Sequence, residues 1–130
     1  MFLLDTNTII YFFKGIGNVP RILLSKSPNE IAIPSIALYE LGVGIAKSNN
    51  PRRRKQQLGE FVAQITILPF GEEEAWVAAG IRAELEKQGT PMGPHDTLIA
   101  GIALHKGCTL VTHNTKEFMR IKSLNIEDWF

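Results

Sequence analysis

The chain has little with which to staple or anchor itself. Cys108 is its only cysteine, so no disulfide can close within it. A lone thiol suits a reducing compartment, which gives the expectation of a cytoplasmic protein. No apolar run approaches the roughly 20 residues that cross a bilayer. The opening MFLLDTNTIIYFF is apolar, but no basic segment precedes it and Asp5 interrupts it, so it reads as a strand entering a helix rather than a secretion signal. Neither sign of charge dominates. The 14 Lys and Arg against 13 Asp and Glu leave a net +1, so a polyanionic partner has to be argued from local clusters. Aromatic residues make up only 8%, without the aromatic-basic interleaving of an RNA-recognition sheet. His95, His105 and His113 lack the spacing of zinc ligands and read as ordinary helix or turn residues. Internal repeats, low-complexity tracts and linkers are also missing, so residues 1–130 read as one domain.

What is present is the composition of a soluble globular domain, 45% hydrophobic and 21% charged. Four short apolar runs, at 2–5, 30–33, 65–68 and 109–112, read as buried strands, and a weaker fifth lies at 126–129. Helical segments sit between them. Pro34 opens one, Pro51 opens another in PRRRKQQLGEFVAQ, 72–88 is amphipathic and stops at Gly89, and Pro94 opens a helix through Lys106 that stops at Gly107. Alternating short strands and helices predict an α/β fold: a mostly parallel sheet of four to five strands with helices on both faces. In such folds the ligand crevice lies beyond the carboxyl ends of the strands, where strand order reverses. Asp5 ends the first strand, and 112–114 end the fourth.

Three carboxylates fall at those places. Asp5 is also a favoured helix cap, and a cap at a switch point is equally a ligand position. Asp96 lies in the first turn of its helix, where the helix dipole favours it regardless of function. Glu40 is harder to explain away. It belongs to PSIALYELGVGIAKS, apolar on almost every side and therefore expected to be buried. An unpaired carboxylate there needs a cation, a water-filled cleft or an arginine such as Arg82. Three acids gathered at one crevice repel one another, and a divalent cation compensates them. Hard oxygen donors select Mg2+ or Mn2+.

LLDTN, SxxxxEL across Ser35–Leu41, GPHDTLIAGIA at 93–103, TLVTHNTKEF at 109–118 and the closing IEDW follow one another in an order that resembles the PIN-domain ribonucleases, and specifically the VapC toxins of VapBC toxin–antitoxin systems. The match covers nearly the whole chain, and IRAELEKQGTPMGPHD is similar to the subgroup that cuts initiator tRNA. The resemblance implies a three-layer PIN-like fold and a magnesium-dependent endoribonuclease acting on RNA, with tRNA, and the anticodon loop of initiator tRNA-fMet, as the expected target. It implies metal held by Asp5, Glu40 and Asp96, hydrolysis by water that the cation activates, and Glu40 as ligand or as base. A fourth acidic position of the family falls on Asn114, a departure that leaves one or two metals open, with Glu117 one helical turn beyond as a partial substitute. Thr6, Ser35 and Thr112 are hydroxyls placed to orient ligands or water, or to cap and turn. A homodimer and a VapB-like antitoxin that wraps the toxin and blocks its site are the implied partners. Ile9–Phe13 is a stretch for such an interface or for the core, while Trp76 and Trp129 read as packing residues.

For RNA, Arg52, Arg53, Arg54 and Lys55 form the only concentrated basic run, either a phosphate track or a solvated face; Lys14, Lys47 and Lys116 are further candidates for steering. A haloacid-dehalogenase-like phosphatase also starts with a strand ending in aspartate, but it wants a second aspartate where Asn7 stands and leaves Glu40 idle. A receiver domain needs an acidic pair and a late lysine that have no place here. A non-catalytic PIN-like binding module is the alternative that Asn114 supports.

Overall fold

The structure, a computed structural model, describes residues 1–130. Five parallel strands, β1 (Phe2–Leu4), β2 (Ile31–Pro34), β3 (Thr66–Leu68), β4 (Thr109–Val111) and β5 (Ile126–Glu127), pair in the order β3-β2-β1-β4-β5. The expected strands are all found; β2 is its apolar run shifted by one residue, and the other four are shorter than theirs. The register sets Leu3 beside Ala32 and Leu110, with Leu4 beside Val111. Side chains alternate across the sheet, so Leu3, Ala32 and Leu110 enter one core while Leu4, Ile31, Ile33 and Val111 enter the other.

The first core is closed by α5 (Glu72–Lys87) and α6 (Pro94–Lys106), through Ile81, Leu85, Ile99, Ile102 and Ala103. These two helices approach closely at Gly101, where a Cβ would stand 2.8 Å from that of Ala78 and 3.1 Å from the Glu74 carbonyl oxygen. The second core takes Ile9, Val19, Leu23 and Ala37 from α1 (Thr6–Lys14), α2 (Val19–Ser25) and α3 (Ser35–Ala46), with α4 (Pro51–Val62) packing on its edge through Phe61 and Val62. A short α7 (Thr115–Phe118) follows β4 and buries Phe118. Helices thus cover both faces of the sheet, as the alternation of elements predicts.

Three expectations are corrected. The helix expected to open at Pro34 starts at Ser35, because Pro34 still belongs to β2 and pairs with Leu68. That helix, α3, is not buried: only Ala37 is inaccessible, and Tyr39 and Val43 stand in solvent. Its apolar surface exceeds what one sheet face can cover. Trp76, read as packing, is 74% exposed, whereas Trp129 is buried and tilts against Phe2 at 5.3 Å. The short helix α2 was not anticipated, although Asn18 and the proline that follows it stand where a helix start places them.

Candidate active site

The chain runs outward from β1 through β2 to β3 and then returns to the other side of β1 as β4, so the reversal lies between β1 and β4. Asp5 is the first residue past β1, and its N–H still donates to the Val111 carbonyl of β4 at 3.1 Å. Its side chain caps α1, Oδ1 accepting from the Thr8 N–H at 2.9 Å, and a bond from the Thr112 side chain reaches the same carboxyl. The capping and site readings therefore coincide at one buried residue. Burial raises the Asp5 pKa; the Thr112 and Thr8 hydrogen bonds pull it down, and the charge of Glu40 raises it further. Thr112 holds its position by accepting the Asn114 N–H at 3.0 Å, while the Thr8 hydroxyl donates to the Val111 carbonyl at 3.1 Å.

Asp96 arrives from the first turn of α6 and is half-buried. Its pKa is raised to about 6, first by burial and then by the charges of Asp5, Glu40 and Glu117, with His95 opposing. Four carboxylates from four elements thus act on one point, and no lysine or arginine pairs with any of them. The arginine partner considered for Glu40 is excluded, since Arg82 pairs with Glu86 at 3.0 Å on the outer surface of α5.

Glu40 reaches the cluster from α3. Its Oε1 accepts from the Thr6 hydroxyl at 2.6 Å, and its Oε2 lies 3.2 Å from His95 Nδ1. It is partly exposed, at the mouth of the site rather than inside a buried helix. Asn114 makes no hydrogen bond to Asp5; its side-chain N–H donates to Glu117 Oε2 at 2.9 Å. Glu117 is therefore the acidic group at the corner where the fourth acid was expected. Ser35 begins α3 past the end of β2, and its hydroxyl bonds none of the acidic groups.

Two site residues escaped sequence reasoning. Thr8 stands three residues after Asp5, the spacing of a cap, and that signal could have found it. His95, read as an ordinary turn residue, contacts Glu40 only because α3 and α6 come together, which no sequence spacing announces.

The donor set is all oxygen, which fits Mg2+ or Mn2+ rather than zinc. As the side chains lie, no three of its acidic or imidazole groups stand close enough together to hold a metal ion. An open set still fits magnesium, which keeps several waters and binds through one or two carboxylates. Asp5 and Asp96, unpaired by cations and deepest in the cluster, are the residues suited to it.

A groove between α1, α3 and α4 opens beside Glu40. Ile10, Phe13, Leu41, Ile45 and Leu58 give it apolar walls, with Lys14 and Arg54 on its rim. The Ile9–Phe13 stretch is thereby divided, Ile9 going to the core and Ile10 and Phe13 to the groove. The basic run divides as well. Arg54 lies at this groove, Arg52 and Lys55 line a separate hollow between α3 and α4, and Arg53 lines neither. Lys47 and Lys116 are exposed.

Comparison with known proteins gives a consistent picture. Residues 2–124 match the PIN domain family. The chain is 39% identical over 128 residues to the tRNA(fMet)-specific endonuclease VapC of Salmonella typhimurium strain LT2, covering 98% of this chain and 97% of that protein. Its fold superposes on VapC-containing crystal structures: DNA-bound VapBC from Salmonella typhimurium, with a TM-score of 0.92 and 38% identity, and VapBC2 from Rickettsia felis bound to a promoter DNA fragment, with a TM-score of 0.91 and 35% identity. Each alignment covers 99% of this chain and 98% of the other.

Proposed function

Since the chain belongs to the PIN-domain family, among the ribonuclease toxins of the VapC type, we propose that it is a magnesium- or manganese-dependent endoribonuclease that cuts tRNA through Asp5, Asp96 and Glu40. The observation that carries this reading is the uncompensated acidic cluster, in which Asp5, Glu40 and Glu117 all raise the pKa of Asp96. A structural cluster of that kind would be expected to recruit an arginine or lysine; this one has none.

Asp5 and Asp96 would hold the cation, which lowers the pKa of water and offsets charge developing on the phosphate. Thr112 and Thr8 fix the Asp5 carboxyl, so that its orientation does not change when charge arrives. Glu40, held through one oxygen by Thr6, has its second oxygen at the open mouth beside His95, where it can take the proton of the attacking water. Asn114 orients Glu117. Arg54 and Lys14 offer positive charge to the RNA backbone along the groove.

Initiator tRNA is the substrate we favour, on the strength of the Salmonella relative's specificity and the near-full-length similarity to it. A VapB-like antitoxin is the partner that the VapBC structures support, and the apolar groove beside Glu40 would seat an apolar segment of it. Exposed Val43 and Trp76 offer surface for self-association as a homodimer. Activity on tRNA would place the protein in the cytoplasm. No helix is long and apolar enough to cross a membrane. The phosphatase alternative loses its footing here, because Asn7 is exposed on α1 and contributes nothing to the site.

Expression of the wild type and of Asp5→Ala, followed by sequencing of cleaved RNA ends, tests the reading. The wild type is expected to cut with Mg2+ and not with EDTA, and Asp5→Ala to lose at least a hundredfold in rate, on the order expected for a group that stabilises transition-state charge. Equal cleavage by both would remove the carboxylate site; cleavage of another RNA with initiator tRNA intact would remove only the substrate.

A further inference from the structure

The rim of the acidic cluster carries two aromatic rings that the chemistry above does not use. Tyr39 precedes Glu40 on α3, and His95 precedes Asp96 on α6. Their rings meet edge to face, with centroids 5.7 Å apart and planes at 87°. Tyr39 is 61% exposed. His95 Nδ1 lies 3.2 Å from Glu40 Oε2, and its ring is also open to solvent. An edge-to-face contact covers one face of one ring, so flat aromatic surface remains free at the mouth of the site. A tyrosine packing into neither core is difficult to account for by stability.

We propose that Tyr39 and His95 form a stacking corner that takes an unpaired base of single-stranded RNA beside the bond to be cut. The inference rests on the ribonuclease reading and adds how the substrate is gripped. A cation held by Asp5 and Asp96 would engage only the phosphate at the cut, so placing the strand around it needs further attraction that does not depend on charge. Proteins that read loops and single strands stack splayed bases on Tyr and His rings, and stacking tolerates any base because every base has a π-face. The backbone has a separate route, since Lys14 and Arg54 line the groove that ends at Glu40. Tyr39 lies outside that groove, about 100° round the helix from Glu40. Base and phosphate would therefore be held on different sides of the catalytic carboxylate, which fixes the strand across it.

The test uses a short single-stranded RNA spanning a cut site mapped with the wild type, and the same RNA with an abasic nucleotide on either side of the cut. Tyr39→Leu is expected to weaken cleavage about tenfold, from the usual worth of one stacked base, with the loss falling on KM rather than kcat; His95→Leu, which also removes the contact to Glu40, is expected to lower kcat as well. Binding of the intact RNA to EDTA-treated enzyme should weaken by a similar factor, and Tyr39→Phe should recover most of it. One abasic substitution should cost the wild type the same factor and cost Tyr39→Leu nothing more. Should Tyr39→Leu fail to fold, the abasic substrates on the wild type decide alone. Unchanged KM in Tyr39→Leu, abasic losses that multiply with the mutation, or a mutation that alters only the mass of the particle in light scattering would each overturn the stacking corner. A wild type that cuts no RNA in Mg2+ would instead overturn the ribonuclease reading on which it rests.

Discussion

At the scale of single residues, Asp96 shows what the site costs the fold. Its carboxyl titrates near 6, against 3.8 for an unperturbed one, because burial and three neighbouring acids disfavour its charge. In metal-free protein the folded state therefore holds a proton that the unfolded chain has released between those two values. The stabilisation that Asp96 gives is fully present below about pH 4 and is lost as pH rises through 6. A shift of that size is worth roughly 3 kcal/mol unscreened, and for a half-buried group about 1 kcal/mol survives. Asp96→Asn is accordingly expected to raise the melting temperature of EDTA-treated protein at pH 7.5 by a few degrees and to abolish cleavage, with the thermal gain vanishing below pH 4. A variant less stable than wild type at pH 7.5 would show that Asp96 is held by favourable contacts rather than strained for function.

At the scale of elements, the packing of α5 on α6 sets where Asp96 stands. Gly101 lets the two helices close, since any side chain there would collide with Ala78 and the Glu74 carbonyl. Gly101→Val should cost about 3 kcal/mol of stability, read from denaturant unfolding as a lowered midpoint, and reduce activity by moving the start of α6. A neutral effect would mean that the helices can separate without disturbing the site. The same contrast explains what could be read beforehand. Strands β1, β2 and β4 were legible because short apolar runs bounded by polar residues leave few other readings; Asp5 was legible as the end of such a strand and Asp96 as the start of a proline-opened helix. Helix α3 was misjudged because an all-round apolar pattern describes equally a buried helix and one awaiting a partner. The pairing of Glu40 with His95 spans 55 residues and arises from how α3 and α6 meet, so no local pattern carried it. Glu117 was legible as a candidate from its helical spacing, but its bond to Asn114 was not.

At the scale of the whole molecule, a site that strains the fold when empty should repay that strain when filled. Mg2+ added to EDTA-treated protein is expected to raise the melting temperature, by an amount equivalent to about 2.7 kcal/mol at a hundredfold excess over its dissociation constant. Asp5→Asn and Asp96→Asn should each lose most of that response. A wild-type melt indifferent to Mg2+ and Mn2+ would separate the acidic cluster from metal altogether.

The sheet order has a consequence for how the protein is made. Strand β1 emerges first, but its neighbour β4 consists of residues 109–111, and Asp96, Thr112 and Glu117 all belong to the last third of the chain. A ribosome that has released only the first ninety residues therefore carries Asp5 and Glu40 without the groups that complete their site. If these residues form the active site as proposed, the nascent chain would be harmless to the RNA around it and would become a nuclease only as its final strands dock.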